Sequence, residues 1–185
     1  MIIGITGTIG AGKGTVVEYL KSKGFVGYSS SKLLGELVEK EGNPKTRDFL
    51  SPMATRLQQE YPGGVVEKNY REKFLLEKPE HAIFEAIHRQ SEANFLRGIG
   101  GVIIGVDADL ETRYQRTHLR NEGEKDQQSF EDFQKQARIE DEGGGDATRD
   151  NNIRAVINSA DIVIANNGTQ EELFAQVEEA LQRIK

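Results

Sequence analysis

Hydrophobic positions along this chain follow two rhythms. Short, continuous apolar runs alternate with stretches in which apolar residues recur at helical spacing. The runs "MIIGIT", "GFVGYS", "HAIFEAI", "GGVIIGVD" and "ADIVIAN" read as five strands, rich in β-branched residues and bounded by turn formers. The third is expected to end near Ile87. Between the strands, Val16, Val17 and Leu20 form a helical stripe that begins at Lys13 and is closed by Gly24. Further helices are expected over 32–40, 46–59 and 65–76, punctuated by Asn43-Pro44, Tyr61–Gly64 and Pro79. A helix follows the third strand and another starts at about Asp109. Ser129 caps one that runs to about Asp141, and a short one precedes the fifth strand. Leu173, Phe174, Val177, Leu181 and Ile184 give the last helix one apolar face. Residues 121–128 are polar and read as an exposed loop, and the run Gly143–Gly145 reads as a hinge. Strands alternating with helices imply an α/β domain, with a parallel sheet covered on both faces.

Composition narrows the function classes. With 185 residues, 36% hydrophobic and 29% charged, the chain fits one soluble domain, 1–185, with a sizeable core. A formal net charge of −6 argues against a nucleic-acid-binding scaffold, though it leaves room for a local basic pocket. The chain contains no cysteine, which excludes disulfides and thiolate metal sites and makes a reducing, cytoplasmic setting the natural reading. No apolar run approaches the roughly 20 residues needed to span a bilayer, so no membrane partner is expected. The opening "MIIGITG" lacks a basic leader and reads as a first strand rather than a signal peptide.

The chemistry gathers first at "GITGTIGAGKGT". Gly7, Gly12 and Lys13 have the G-x-x-x-x-G-K spacing of a phosphate-binding loop, set between a strand and a helix where that motif works. Glycines let backbone N–H groups curl around an anion, and the helix start adds unpaired N–H groups and a positive dipole end. Lys13 would reach the β- and γ-phosphates. ATP is the expected nucleotide, since no Asn-Lys-x-Asp guanine reader occurs. The residue after the lysine usually carries a hydroxyl that holds Mg²⁺. Here it is Gly14, so Thr15 is the expected metal residue, directly or through water. In this form, "GTIGAGKGT" resembles the loop of nucleoside monophosphate kinases, G-x-x-G-x-G-K-G-T. The resemblance implies a nucleotide contact at Gly7, Gly10, Ala11, Gly12, Lys13, Gly14 and Thr15.

Downstream, Arg113, Arg116 and Arg120 recur at i, i+3 and i+7 and share a helix face beside the polar loop. Such arginines suit phosphoryl transfer, where charge must be stabilised while water is excluded. The same spacing also fits a solvated basic face. The stretches "VDADLETRYQRTHLR" and "SADIVIANNGTQEEL" resemble the C-terminal half of dephospho-coenzyme A kinases. That resemblance implies Arg116 and Arg120 on the ATP phosphates, Asn166, Asn167 and Gly168 along the adenine edge, and a lid over 121–145.

The acceptor side departs from that family. Dephospho-coenzyme A kinases carry Asp-x-Asp after the second strand, whereas this chain has "YSSSKLL", with no carboxylate before Glu36. The chain looks closer to a sister group of adenylate-kinase-related, deoxynucleotide-kinase-like proteins. Residues 28–79 are then the acceptor-binding helical segment, with Ser29, Lys32, Arg47 and Arg56 as candidate acceptor contacts. Each cation there could equally be a helix-surface charge. Glu85, His88 and Arg89 should lie at the carboxyl edge of the sheet, where open α/β folds bind ligands. The resemblance implies that Glu85 serves the acceptor or the metal's water, and that His88 or Arg89 meets the acceptor phosphate. Asp107, ending an apolar strand, would be a magnesium ligand in an ATPase.

Together these expectations describe a P-loop NTPase fold of three layers, with a five-stranded parallel sheet ordered 2-3-1-4-5, as in the resembled families, and a helical lid. They imply a monomeric or homodimeric enzyme that moves the γ-phosphate of Mg·ATP to a small nucleotide. A dephospho-coenzyme A kinase and a regulatory ATPase switch are the alternatives.

Overall fold

A computed structural model describes residues 1–120, 128–142 and 152–184. Five strands, β1 (Ile2–Gly7), β2 (Val26–Ser29), β3 (Ala82–Glu85), β4 (Val102–Asp107) and β5 (Ile162–Ala165), form one sheet in the order β2-β3-β1-β4-β5. Every neighbouring pair is parallel, with Ile5 opposite Glu85 and Gly7 opposite Val106. The order matches expectation. The central strands β1, β3 and β4 are buried on both faces and need no polar alternation, whereas the edge strands β2 and β5 expose Val26 and Val163.

Helices cover both faces. On one, α1 (Lys13–Ser22) and α10 (Gln170–Arg183) pack Val16, Leu20, Leu173 and Val177 onto Ile3, Ile5, Ile83 and Ile104. On the other, α6 (Gln90–Gly98) and α9 (Ile153–Asn158) bring Ala93, Leu96 and Val156 onto Phe84, Ile87 and Ile103. Beyond the sheet, α2 (Ser30–Lys40), α3 (Arg47–Glu60) and α4 (Gly64–Asn69) enclose a small core of their own, made of Leu33, Val38, Met53, Leu57 and Val65. This is the 28–79 segment.

Two boundaries differ from the sequence reading. The helix expected over 65–76 is α4, then a π turn (Tyr70–Phe74), then the short α5 (Leu75–Glu77). Its aromatic residues stack on one another, Tyr70 on Phe74 at 5.1 Å between ring centroids. The third strand stops at Glu85 rather than near Ile87, because Ala86 turns the chain out with a φ of 61°. That left-handed conformation is uncommon for a residue with a Cβ. The turn is held from β1: Ile87 N–H donates to Ile5 O at 3.0 Å and Thr6 Oγ1 donates to Ile87 O at 2.7 Å.

α7 (Leu110–Arg120) and α8 (Phe130–Glu142) complete the described helices. Ser129 caps α8, as expected, by accepting from the Asp132 N–H at 3.1 Å. Of the expected lid, 128–142 is described, and α8 buries Phe133 and Ala137. The loop 121–127 and the Gly143–Gly145 hinge lie outside the described residues. Among those described, no helix is long and apolar enough to cross a membrane.

Candidate active site

The carboxyl edge of the sheet carries two cavities, one of them lined by Lys13. The first, of about 470 Å³, is lined by Thr8, Gly10, Gly12, Lys13, Gly14 and Thr15 on one wall, and by Arg116, Thr117 and Arg120 on the other. The loop leaves β1 and winds into α1 through Gly12, whose φ of 96° disfavours any side chain. A Cβ there would also strike the Asn166 amide. Lys13 folds its ammonium over the loop and donates to Gly7 O at 2.7 Å and Thr8 O at 2.9 Å. The ten-residue α1 thus presents its first N–H groups to an open, cationic cleft. That donor set fits a nucleotide polyphosphate.

Gly14 and Thr15 are both exposed. A Cβ at Gly14 would meet no atom within 4 Å, so packing does not demand glycine there. Thr15 offers the hydroxyl at the loop's end that would hold a divalent cation. Asp107 is already committed: Oδ1 accepts from Thr8 Oγ1 at 2.8 Å and from the Ala108 N–H at 3.0 Å, and Oδ2 pairs with Arg154. No group of three or more His, Asp or Glu side chains is arranged to hold a metal among the described residues.

Arg116 and Arg120 both reach this cleft. Arg116 also braces the β5–α10 turn, donating to Asn166 O at 2.7 Å and Gly168 O at 3.2 Å. The Asn166 side chain, buried, donates in turn to Ala11 O at 2.8 Å. Asn167 Oδ1 accepts from the Asp109 N–H at 2.8 Å. The "NNG" turn is therefore wired to the phosphate loop and to the start of α7.

The second cavity, of about 350 Å³, lies between the small helical core and the β3–α6 turn. Arg47, His88 and Arg89 line it, as do Ser30, Ser31 and Glu92, with Leu34, Leu50, Ala54 and Val65 as its apolar wall. Burial, with the nearby Lys13 and Arg89 charges, pushes His88 down to about 4, so its imidazole is neutral at pH 7. Arg89, buried, donates to Gln58 Oε1 at 3.1 Å and is thereby tied to α3.

Other expected contacts lie elsewhere. Glu85 lines neither cavity; it shares the α1 face of the sheet with Ile83 and pairs with Lys21 at 2.8 Å. That bond raises the Lys21 ammonium above its ordinary value. Lys32 is exposed on α2 outside the cavity, and Ser29 is spent capping α2 through the Lys32 N–H at 3.3 Å. Arg56 pairs with Glu41 by a shallow cleft between α2 and α3. The sequence reading missed Ser30, Ser31 and Glu92. Glu92 stands three positions after Arg89 at the start of α6, but with arginine at the N-cap no Ser/Thr-x-x-Glu signature marks it in the sequence.

Comparisons with known proteins agree with this geometry. A family model described as an AAA domain, AAA_18, matches residues 3–143. The chain is 34% identical to a UPF0200 protein of Sulfurisphaera tokodaii, covering 99% of this chain and 97% of the relative. It is 26% identical to a dephospho-CoA kinase of Corynebacterium glutamicum, covering 98% of each. The crystal structure of TT1252 from Thermus thermophilus shares the fold with a TM-score of 0.61 at 23% identity, covering 100% of this chain and 98% of that one.

Proposed function

Because this chain belongs to the AAA_18 family of AAA domains and has a P-loop, small-molecule-kinase-like fold, we propose that it is a kinase that transfers the γ-phosphate of Mg·ATP to a nucleoside monophosphate. One observation carries the reading: besides the cleft over Lys13, a second cavity with Arg47, His88 and Arg89 in its wall opens after β3. Guanidinium groups match the geometry of a phosphate monoester. An acceptor that brings its own oxyanion needs no general base. His88, neutral and weakly basic, is a poor proton acceptor, and the segment "YSSSKLL" has no carboxylate where dephospho-coenzyme A kinases carry Asp-x-Asp. A hydroxyl acceptor such as dephospho-coenzyme A is therefore served less well.

Bound Mg²⁺ would neutralise charge on the transferring phosphates. This chain's own residues do the rest. The loop amides and Lys13 hold the β- and γ-phosphates, and Thr15 supplies the metal's hydroxyl ligand. Arg116 and Arg120 meet charge that develops on the transferring group. Arg47 and Arg89 hold the acceptor phosphate in line. The acceptor's phosphate oxygen bonds to the γ-phosphorus as its bond to the β,γ-bridging oxygen breaks and ADP leaves, with no covalent enzyme intermediate.

The test is ATP consumption with Mg²⁺ against ribo- and deoxynucleoside monophosphates and dephospho-coenzyme A, with products identified by mass. Phosphorylation of a monophosphate, with its KM raised about tenfold or more by Arg89→Met and the KM for ATP little changed, is expected. Product from dephospho-coenzyme A alone would overturn the reading. So would ATP binding that alters a partner's affinity without any acceptor being phosphorylated.

A further inference from the structure

Thr8 is the hub of the phosphate loop. Its carbonyl accepts from the Ala11 N–H at 3.3 Å, which closes a turn of the loop, and from Lys13 Nζ at 2.9 Å. The direction of that one carbonyl therefore bears on the loop amides and on the Lys13 ammonium together. The Thr8 side chain is fully buried, and its Oγ1 donates to Asp107 Oδ1 at 2.8 Å. Asp107 ends β4, the strand paired with β1, and its Oδ1 also accepts from the Ala108 N–H at 3.0 Å. Its Oδ2 pairs with Arg154 in the first turn of α9. Arg154 is held in turn from α8, where Asp141 Oδ2 accepts from its Nη2 at 3.0 Å. Arg154 itself lines neither of the two cavities.

A hydrogen bond to a carboxylate is stronger than one to a neutral oxygen, so Asp107 is a firm anchor for the Thr8 hydroxyl. The anchor is only as firm as the carboxylate. Arg154 occupies the oxygen that Thr8 and Ala108 leave open, and so keeps the group from turning away from the loop. Resting on the nucleotide reading of Gly7 to Thr15, and on no choice of acceptor, we propose that Arg154 is a positioning residue for the nucleotide. It touches no phosphate; acting through Asp107 and Thr8, it holds the loop in its anion-binding shape. A preformed loop loses less freedom on binding, so this order appears as affinity for the polyphosphate. The role differs from a fold-wide one in a way that can be measured. If Arg154 works through the Thr8 hydroxyl, its removal adds nothing once that hydroxyl is gone.

The test is calorimetric titration with Mg·ATP, without any acceptor, of Thr8→Val, Thr8→Ser, Arg154→Met and the double variant Thr8→Val/Arg154→Met, each with its melting temperature. Thr8→Val keeps the β-branched shape and leaves Asp107 paired with Arg154. It should weaken Mg·ATP binding about tenfold, while Thr8→Ser, which keeps the hydroxyl, stays near wild type. Arg154→Met should lose about as much, and the double variant should bind no more than about threefold more weakly than the weaker single one. Should Arg154→Met not fold, Arg154→Gln, which keeps a donor for Asp107 but no charge, takes its place in the same comparison. Wild-type affinity in Thr8→Val, or in the Arg154 variant that folds, would overturn the inference. So would losses that multiply to about hundredfold in the double variant, since Arg154 would then act by its charge or on the fold at large. Absence of turnover with every monophosphate would overturn the kinase reading and leave this inference standing. Absence of Mg·ATP binding by wild type would overturn both.

Discussion

Two titratable side chains sit within four positions of each other on one turn and are shifted in opposite directions by the same burial. His88 falls from 6.5 to about 4, and Glu92 rises from 4.5 to about 7. Their effects on stability have opposite signs. Between pH 4.5 and 7 the folded protein keeps a proton on Glu92 that the unfolded chain has lost, so this group's contribution declines as pH rises. Between pH 4 and 6.5 the unfolded chain protonates its histidine and the folded protein does not, so this contribution grows as pH rises. The slopes oppose over the shared window and should leave wild-type stability nearly flat there. Glu92→Gln removes one of them, and urea midpoints of that variant should climb between about pH 5 and about pH 6.5. A flat profile in the variant would mean that His88 is not buried as described. At this scale the sequence was most legible where the motif is local. The loop from Gly7 to Thr15 declares itself by spacing alone. Glu85 did not, because its placement depends on strand parity: it shares a face with Ile83 and turns to Lys21. Glu92 was hidden because sequence shows a carboxylate but not its burial.

Elements far apart in the chain converge on the phosphate loop. The β5–α10 turn reaches it through Asn166, which donates to Ala11 O and whose own carbonyl receives Arg116. Asn166→Ala leaves the Ala11 carbonyl without its partner in a buried setting. The expected cost is about 1–3 kcal/mol in chemical denaturation, with a raised KM for ATP. A variant as stable as wild type with unchanged ATP kinetics would show the tie to be idle. A second convergence joins β4, α7, α8 and α9. Arg154 pairs with both Asp107 and Asp141, the latter at 3.0 Å, and Arg113 approaches Asp141 at 3.4 Å. Asp107 is thereby held as a structural anion, which disfavours an ATPase that uses it as the metal ligand. The number and type of the strands were legible because apolar runs alternate with helical stripes, whereas their order came from the resemblance to P-loop kinases. The third strand's end was not, since Ala86 carries no turn signature yet adopts a positive φ. The break of 65–76 by a π turn was equally hidden, since the apolar and aromatic spacing there still fits one continuous helix.

At the scale of the whole molecule, the protein holds two compartments, one lined by Lys13 and one by Arg47, His88 and Arg89. One is a cationic cleft over the start of α1. The other is an arginine-walled cavity whose roof, α2 to α4, has its own small core. A hydrolase has no use for the second compartment, whereas a kinase requires it. The P-loop fold, family membership and first compartment were foreseeable from the sequence. The second compartment was foreseen as a region, and only Arg47, His88 and Arg89 of its expected contacts line it. The measurement that bears most directly on the two-compartment account is ³¹P NMR of Mg·ATP turning over with the monophosphate that the acceptor panel selects. The account predicts that each ATP lost yields one nucleoside diphosphate from the acceptor, with little inorganic phosphate, and that Lys13→Ala abolishes the conversion. Inorganic phosphate released in step with ATP loss, with the monophosphate unchanged, would contradict it.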